Sequence, residues 1–103
     1  MSSIKIRAKD KGGVTTVKCL ISHPMETGLR KDKKTGKKIP AHFIQEVTAK
    51  HGDKTVMTAL WGGGVSKNPY LSFKFKGGAK GDTITIAWKD NQGKSDSAEA
   101  KIG

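Results

Sequence analysis

Apolar and polar positions alternate with a period of two in seven separate stretches of the chain, and no stretch carries the spacing of an amphipathic helix. Ile4, Ile6 and Ala8 alternate with Lys5, Arg7 and Lys9, which suits a strand with one buried and one wet face. A turn over Asp10 to Gly13 leads to a second strand, where Val17, Cys19 and Ile21 occupy alternate positions and place the thiol inward. The third strand is predicted with Phe43, Gln45, Val47 and Ala49 on one face and Ile44, Glu46 and Thr48 on the other, up to a turn over His51 to Lys54. The fourth run, Thr55 to Trp61, is partly apolar on both faces and ends at Gly62, Gly63 and Gly64. In the fifth, Leu71, Phe73 and Phe75 alternate with Ser72, Lys74 and Lys76, so three large side chains point one way. Gly77, Gly78 and Gly81 close it with a turn that calls for positive φ angles. Ile84, Ile86 and Trp88 mark the sixth strand, Asp90 to Gly93 a turn, and Ser95 to Ile102 the seventh.

Short strands punctuated by Gly and Asn in this way read as an all-β fold, an immunoglobulin-like antiparallel β-sandwich of about seven strands. Pro40 and Pro69 each sit just before a strand, where a missing N–H costs little, and Pro24 opens a long connection. No repeat, low-complexity tail or linker interrupts residues 1–103, which are expected to form a single domain. A chain of 103 residues buries only about two thirds of its unfolded surface. Its core is therefore thin, with little room for a large cofactor or a deep catalytic pocket.

One connection breaks the pattern of short turns. Ser22 to Phe43 links the second and third strands, and a connection of roughly 20 residues in so small a chain is more often functional than slack. Its centre, Arg30 to Lys38, holds six basic residues, Arg30, Lys31, Lys33, Lys34, Lys37 and Lys38, against the single acid Asp32. The whole chain carries 20 Lys and Arg against 9 Asp and Glu, a net charge of +11, which admits nucleic acid, an anionic membrane surface or an acidic partner.

Catalytic chemistry finds little support. Cys19 is the only cysteine, so an internal disulfide and a cysteine-rich zinc site are excluded, and a thiol inside a strand is ordinarily an inert core residue. Ser66, Ser72, Ser95 and Ser97 sit in no Gly-x-Ser-x-Gly elbow, and the acids are scattered over turns and edges. The glycine run Gly62 to Gly64 lacks the Gly-Lys-Ser/Thr and the helix of a phosphate loop. His23, His42, His51 and Cys19 are all metal-ligand types, but His51 falls in a hairpin turn, Cys19 points inward and no pair shows tight ligand spacing. Neither a metal nor another cofactor is expected. A basic β-domain that binds nucleic acid is the alternative reading, with Lys74 and Lys76 beside Phe73 and Phe75. Strict alternation, however, puts those lysines on the opposite face from the phenylalanines. Apolar residues in loops point instead to docking of a protein: Met25, Leu29 and Ile39, with Trp61 and Tyr70 bordering the glycine run.

Three blocks carry a family resemblance: HPMETGLRKDKKTGKKIPAHFI from His23, SKNPYLSFKFKGGAKGD from Ser66 to Asp82, and SDSAEAKI from Ser95. Together and in register they resemble the SoxZ family, the sulfur-oxidation Y-binding subunits of the thiosulfate-oxidising system. The resemblance implies an immunoglobulin-like, non-catalytic subunit that forms a heterodimer with SoxY, whose arm cysteine carries sulfur intermediates between the other enzymes of the pathway. On that basis His23, Met25, Leu29, Arg30, Ile39, Trp61 and Tyr70 become candidate partner contacts, and Arg30, Lys31, Lys33, Lys34, Lys37 and Lys38 candidates for electrostatic steering. Cys19 matches no carrier motif. The N-terminus lacks the apolar run of a secretory signal, which by itself suggests a cytoplasmic protein. The resemblance implies instead a periplasmic one, exported together with a signal-bearing partner.

Overall fold

The computed structural model describes residues 3–62, 64, 65 and 67–103. Gly63 of the glycine run, Ser66 at the head of the second block, and Met1 and Ser2 lie outside the described residues. Seven antiparallel strands form: β1 (Ile4–Lys11), β2 (Val14–Ile21), β3 (Ile44–His51), β4 (Lys54–Leu60), β5 (Tyr70–Lys76), β6 (Thr83–Asp90) and β7 (Ser95–Lys101). They divide into a three-stranded sheet in the order β1-β2-β5 and a four-stranded sheet in the order β4-β3-β6-β7.

Local chemistry explains the hairpins. Lys11 pairs with Val14 across a two-residue turn, and both central residues, Gly12 and Gly13, have positive φ (61° and 83°), which matches the right-handed twist of the flanking strands. The positive φ expected beyond β5 is found at Gly77 and Gly81. Alternation then fills the space between the sheets with Ile4, Ala8, Val17, Cys19 and Ile21 from one side, and Ile44, Val47, Ala49, Ile84 and Ile86 from the other. Leu71, Phe73 and Phe75 pack against this core and are partly buried, on the side that alternation assigned them.

The third strand departs from simple alternation. Its pairing with β6 jumps from Ile44↔Asp90 to Glu46↔Lys89, so Gln45 is an extra residue, a β-bulge. Ile44 is thereby turned inward with Val47 and Ala49 and is fully buried, while Gln45, expected on the same face as those two, is exposed. A single inserted residue exchanges the faces on either side of it.

The long connection is itself a hairpin-like arm. Glu26 and His42 exchange backbone hydrogen bonds (2.6 and 2.9 Å), and Lys31 bridges Lys38 further out. The Asp32 carbonyl accepts from the Gly36 N–H at 2.8 Å, and its side chain accepts from the Lys34 N–H at 2.8 Å, closing the tip. The molecule extends over 53 × 24 × 19 Å, with a radius of gyration of 15.6 Å. A compact domain of this length has a radius near ~13 Å.

Where the fold is tightest, glycine is required. A Cβ on Gly78 would collide with the Thr15 hydroxyl and lie 3.0 Å from Thr15 Cβ and from Ile102 Cδ1. Gly78→Ala is therefore expected to destabilise the protein by about 1–3 kcal/mol through overpacking. Gly62→Ala, with open space around it, is expected to stay within about 0.5 kcal/mol. Urea unfolding of the two variants checks this.

Candidate functional site

The arm springs from the end of the sandwich where β2 and β6 finish and β3 begins, and one carboxylate organises that end. Asp90, the last residue of β6, is buried at 4% exposure. Its Oδ1 accepts backbone N–H bonds from Gln92 (3.0 Å) and Lys94 (2.8 Å), shaping the β6–β7 turn. Its Oδ2 faces the Nε2 atoms of His23 (3.2 Å) and His42 (2.7 Å), one from each leg of the arm. The Met25 N–H donates to His23 Nδ1 at 3.1 Å, so Nδ1 holds a lone pair and the proton sits on Nε2, which donates to Asp90. The backbone at Met25 adopts a positive φ of 49°, an uncommon conformation for its residue type, to make this contact.

Neighbours lock the imidazole further. His23 meets His42 and Trp88 edge-on at ring-centroid distances of 4.6 and 5.1 Å. Its backbone N–H donates to Asn68 Oδ1 at 3.1 Å while its carbonyl accepts from the Asn68 N–H at 3.0 Å. Trp88 Nε1–H donates to Ser3 Oγ (3.0 Å), and that hydroxyl donates to Asp96 (2.7 Å).

The sequence showed no close ligand spacing, yet folding gathers His23, His42 and Asp90 with one ligand atom each inside 4.8 Å. The hydrogen-bond pattern gives this cluster a structural use. With Nδ1 accepting a backbone N–H, a metal at His23 Nε2 would have to displace the ring's only proton, and both imidazoles already direct their Nε2 atoms at the same carboxylate oxygen. His51 lies apart, at the end of β3, with Nε2 2.6 Å from Asp82 Oδ2, and Cys19 lies on β2 in the core.

Titration follows from the same contacts. Burial holds the His23 pKa below its usual value of 6.5 against the opposing pull of Asp90. For Asp90, burial favours the neutral acid, but the hydrogen bonds from Lys94, His23, His42 and Gln92 outweigh it and hold the pKa below 3.8. Both groups take up protons more readily in the unfolded chain. Cys19 is buried too, and burial raises its thiol pKa to about 11, so the reactive thiolate is suppressed at neutral pH.

The structure sorts the sequence candidates. His23 and Met25 are in the core at 4% and 5% exposure, so they fix the arm's base and offer a partner no surface, contrary to their expected role as contacts. Leu29 and Tyr70 are exposed, and Ile39 and Trp61 are partly so. Leu60 at the end of β4 and Leu20 on β2 are also exposed, Leu20 because the inward placement of Cys19 and Ile21 turns it out. Arg30 pairs with Glu26 four residues earlier through both its Nε and a terminal nitrogen. Lys31, Lys33, Lys34, Lys37 and Lys38 are exposed and make no ion pair among the described residues. The nucleic-acid alternative loses its stacking platform, because Phe73 and Phe75 face the core.

Fold and site together define a class: an immunoglobulin-like β-sandwich with an inert interior thiol and a histidine-pinned basic arm. The chain belongs to the SoxZ family, whose profile, described as "Sulphur oxidation protein SoxZ", matches residues 4–101. Its role is accordingly in sulfur oxidation, within the Sox system. Among curated proteins no match to the chain was found.

Three outcomes follow. Asp90→Asn leaves the buried His23 Nε2–H without its carboxylate acceptor and should cost about 1–3 kcal/mol. The wild type should lose stability as pH falls below 6.5, where unfolded His23 binds protons, and again below 3.8 through Asp90. Melting curves from pH 7.5 to 3 on both proteins check this, with a flatter profile expected for the variant. Cys19 should resist iodoacetamide at pH 8 in the folded protein and react within minutes in denaturant, as read by mass spectrometry.

Proposed function

We propose that the chain is the non-catalytic subunit of a two-chain sulfur carrier, pairing with a SoxY-like partner whose arm cysteine bears the sulfur intermediates of thiosulfate oxidation. The observation that carries this reading is the state of Cys19. A covalent sulfur carrier needs an accessible thiolate, and this chain's single thiol is 1% exposed with a pKa of about 11. A Sox-system protein in this condition leaves the covalent chemistry to another chain. Working in the periplasm, it would accompany a signal-bearing partner there. The exposed apolar residues on the arm and at the end of β4, Leu29 and Leu60, are a surface suited to that partner.

The arm has a second task in this scheme. Five lysines that make no ion pair among the described residues, presented on a hairpin, form a field that attracts anionic sulfur groups and acidic enzyme surfaces as they approach.

Co-expression with a SoxY-like partner should yield a stable heterodimer, and thiosulfate oxidation in the reconstituted system should require it and survive Cys19→Ala. Loss of turnover in Cys19→Ala with the heterodimer intact would overturn the proposal. Replacing Arg30, Lys31, Lys33 and Lys34 with Gln should slow turnover roughly tenfold at low salt and leave it nearly unchanged at high salt.

A further inference from the structure

The outward faces of the two sheets differ sharply in charge. On the four-stranded sheet acids and bases are interleaved: Glu46 pairs in register with Lys89, and Lys50 and Glu99 flank Thr85 in one row. On the three-stranded sheet every outward charge is positive. Alternation turns out Lys5, Arg7, Lys9 and Lys11 from β1, Lys18 from β2, and Lys74 and Lys76 from β5, all exposed. Register sets Arg7 directly opposite Lys18 and puts Lys9 and Lys74 in one row. None of these cations makes an ion pair among the described residues. The one acid within β1, β2 and β5, Asp10, is on the inward alternation with one carboxylate oxygen fully buried.

Like charges placed opposite each other across a ladder are destabilising. A face needed only for hydration would be served as well by the mixed pattern of the other sheet, so the uniform sign calls for a counterpart.

At one end the face changes character. The row headed by Lys5 continues through Leu20 and Tyr70, 39% and 60% exposed, beside a shallow depression of about 350 Å³ that Arg7 and Lys18 also line. An apolar corner next to a cation field fits a protein surface that offers carboxylates with an apolar side chain at their edge. It does not fit a single nucleic-acid strand, since Tyr70 is the only aromatic turned out on this face. Lysine-rich and mostly polar, it also differs from permanent interfaces, which are apolar and depleted in lysine.

We propose that the outer face of the β1-β2-β5 sheet is a reversible docking surface for an acidic protein surface, with Leu20 and Tyr70 receiving an apolar residue of that partner. It is separate from the arm and goes beyond the carrier role. The first measurement needs only the full chain.

The probe is a synthetic oligo-glutamate peptide, with and without a terminal leucine, titrated by fluorescence anisotropy. The leucine form should bind more tightly, and Tyr70→Ala should remove that gain. Combining Arg7→Gln, Lys18→Gln and Lys74→Gln should weaken binding roughly tenfold, while an arm variant of equal charge, Lys33→Gln, Lys34→Gln and Lys37→Gln, should weaken it much less. The face variant should melt at or above the wild-type temperature, because repulsion is relieved. Equal losses in the two triple variants would reduce the effect to net charge and overturn the proposal. So would tighter binding of oligo-deoxythymidine or of phosphatidylglycerol vesicles at the same ionic strength. A face variant that no longer pairs with a co-expressed SoxY-like partner would also overturn it, by making the face part of the permanent interface. Failure of the wild type itself to pair would count against the carrier role alone.

Discussion

A buried carboxylate has to be satisfied, and the way Asp90 is satisfied sets the shape of this protein's working end. Its two oxygens receive two backbone N–H groups from its own turn and face the side chains of His23 and His42. The backbone contacts fix the β6–β7 turn, and the histidines belong to the two legs of the 22-residue stretch from Ser22 to Phe43. Cross-strand bonds between Glu26 and His42 then continue from that pinned base. Without the pin, a connection so rich in like charge would have little reason to stay folded back on itself. With it, the lysines are held out on a hairpin whose two acids are both engaged, Glu26 by Arg30 and Asp32 in the tip turn.

Interior and surface divide the labour. Inside, the groups that could do chemistry are quiet: Cys19 is held as a thiol by burial, and the histidines nearest one another are engaged with a carboxylate. Outside, charge is arranged with direction, on an arm that leaves the sandwich and on one sheet face, while the other sheet keeps its charges mixed. This division is what the proposed carrier role would require of the chain. A second thiolate close to a carried sulfur intermediate would invite exchange, and this chain's one thiol is buried.

Much of the fold was legible in the sequence, because a period of two leaves few ways to bury Ile84, Ile86 and Trp88 or Leu71, Phe73 and Phe75. Ile44 and Gln45 show where that reasoning stops, since a bulge depends on the register of a neighbouring strand and leaves no mark on local alternation. The candidate site was less legible. His23, His42 and Asp90 are far apart in the chain, and nothing in their spacing predicts that they converge. Met25 read as an exposed loop residue because its burial depends on a backbone turn with positive φ. The positive sheet face could be assembled from alternating lysines only once β2 was known to lie between β1 and β5.

By itself, then, the sequence determined the class of fold, the net charge, the inward placement of the lone cysteine and the family resemblance. Each of these is a local or summed property of the residues. Tertiary structure alone decided which histidines meet Asp90, how the basic connection is folded, and which lysines share one face. Those are properties of strand order and register, and they arise only when segments distant in the chain are brought together.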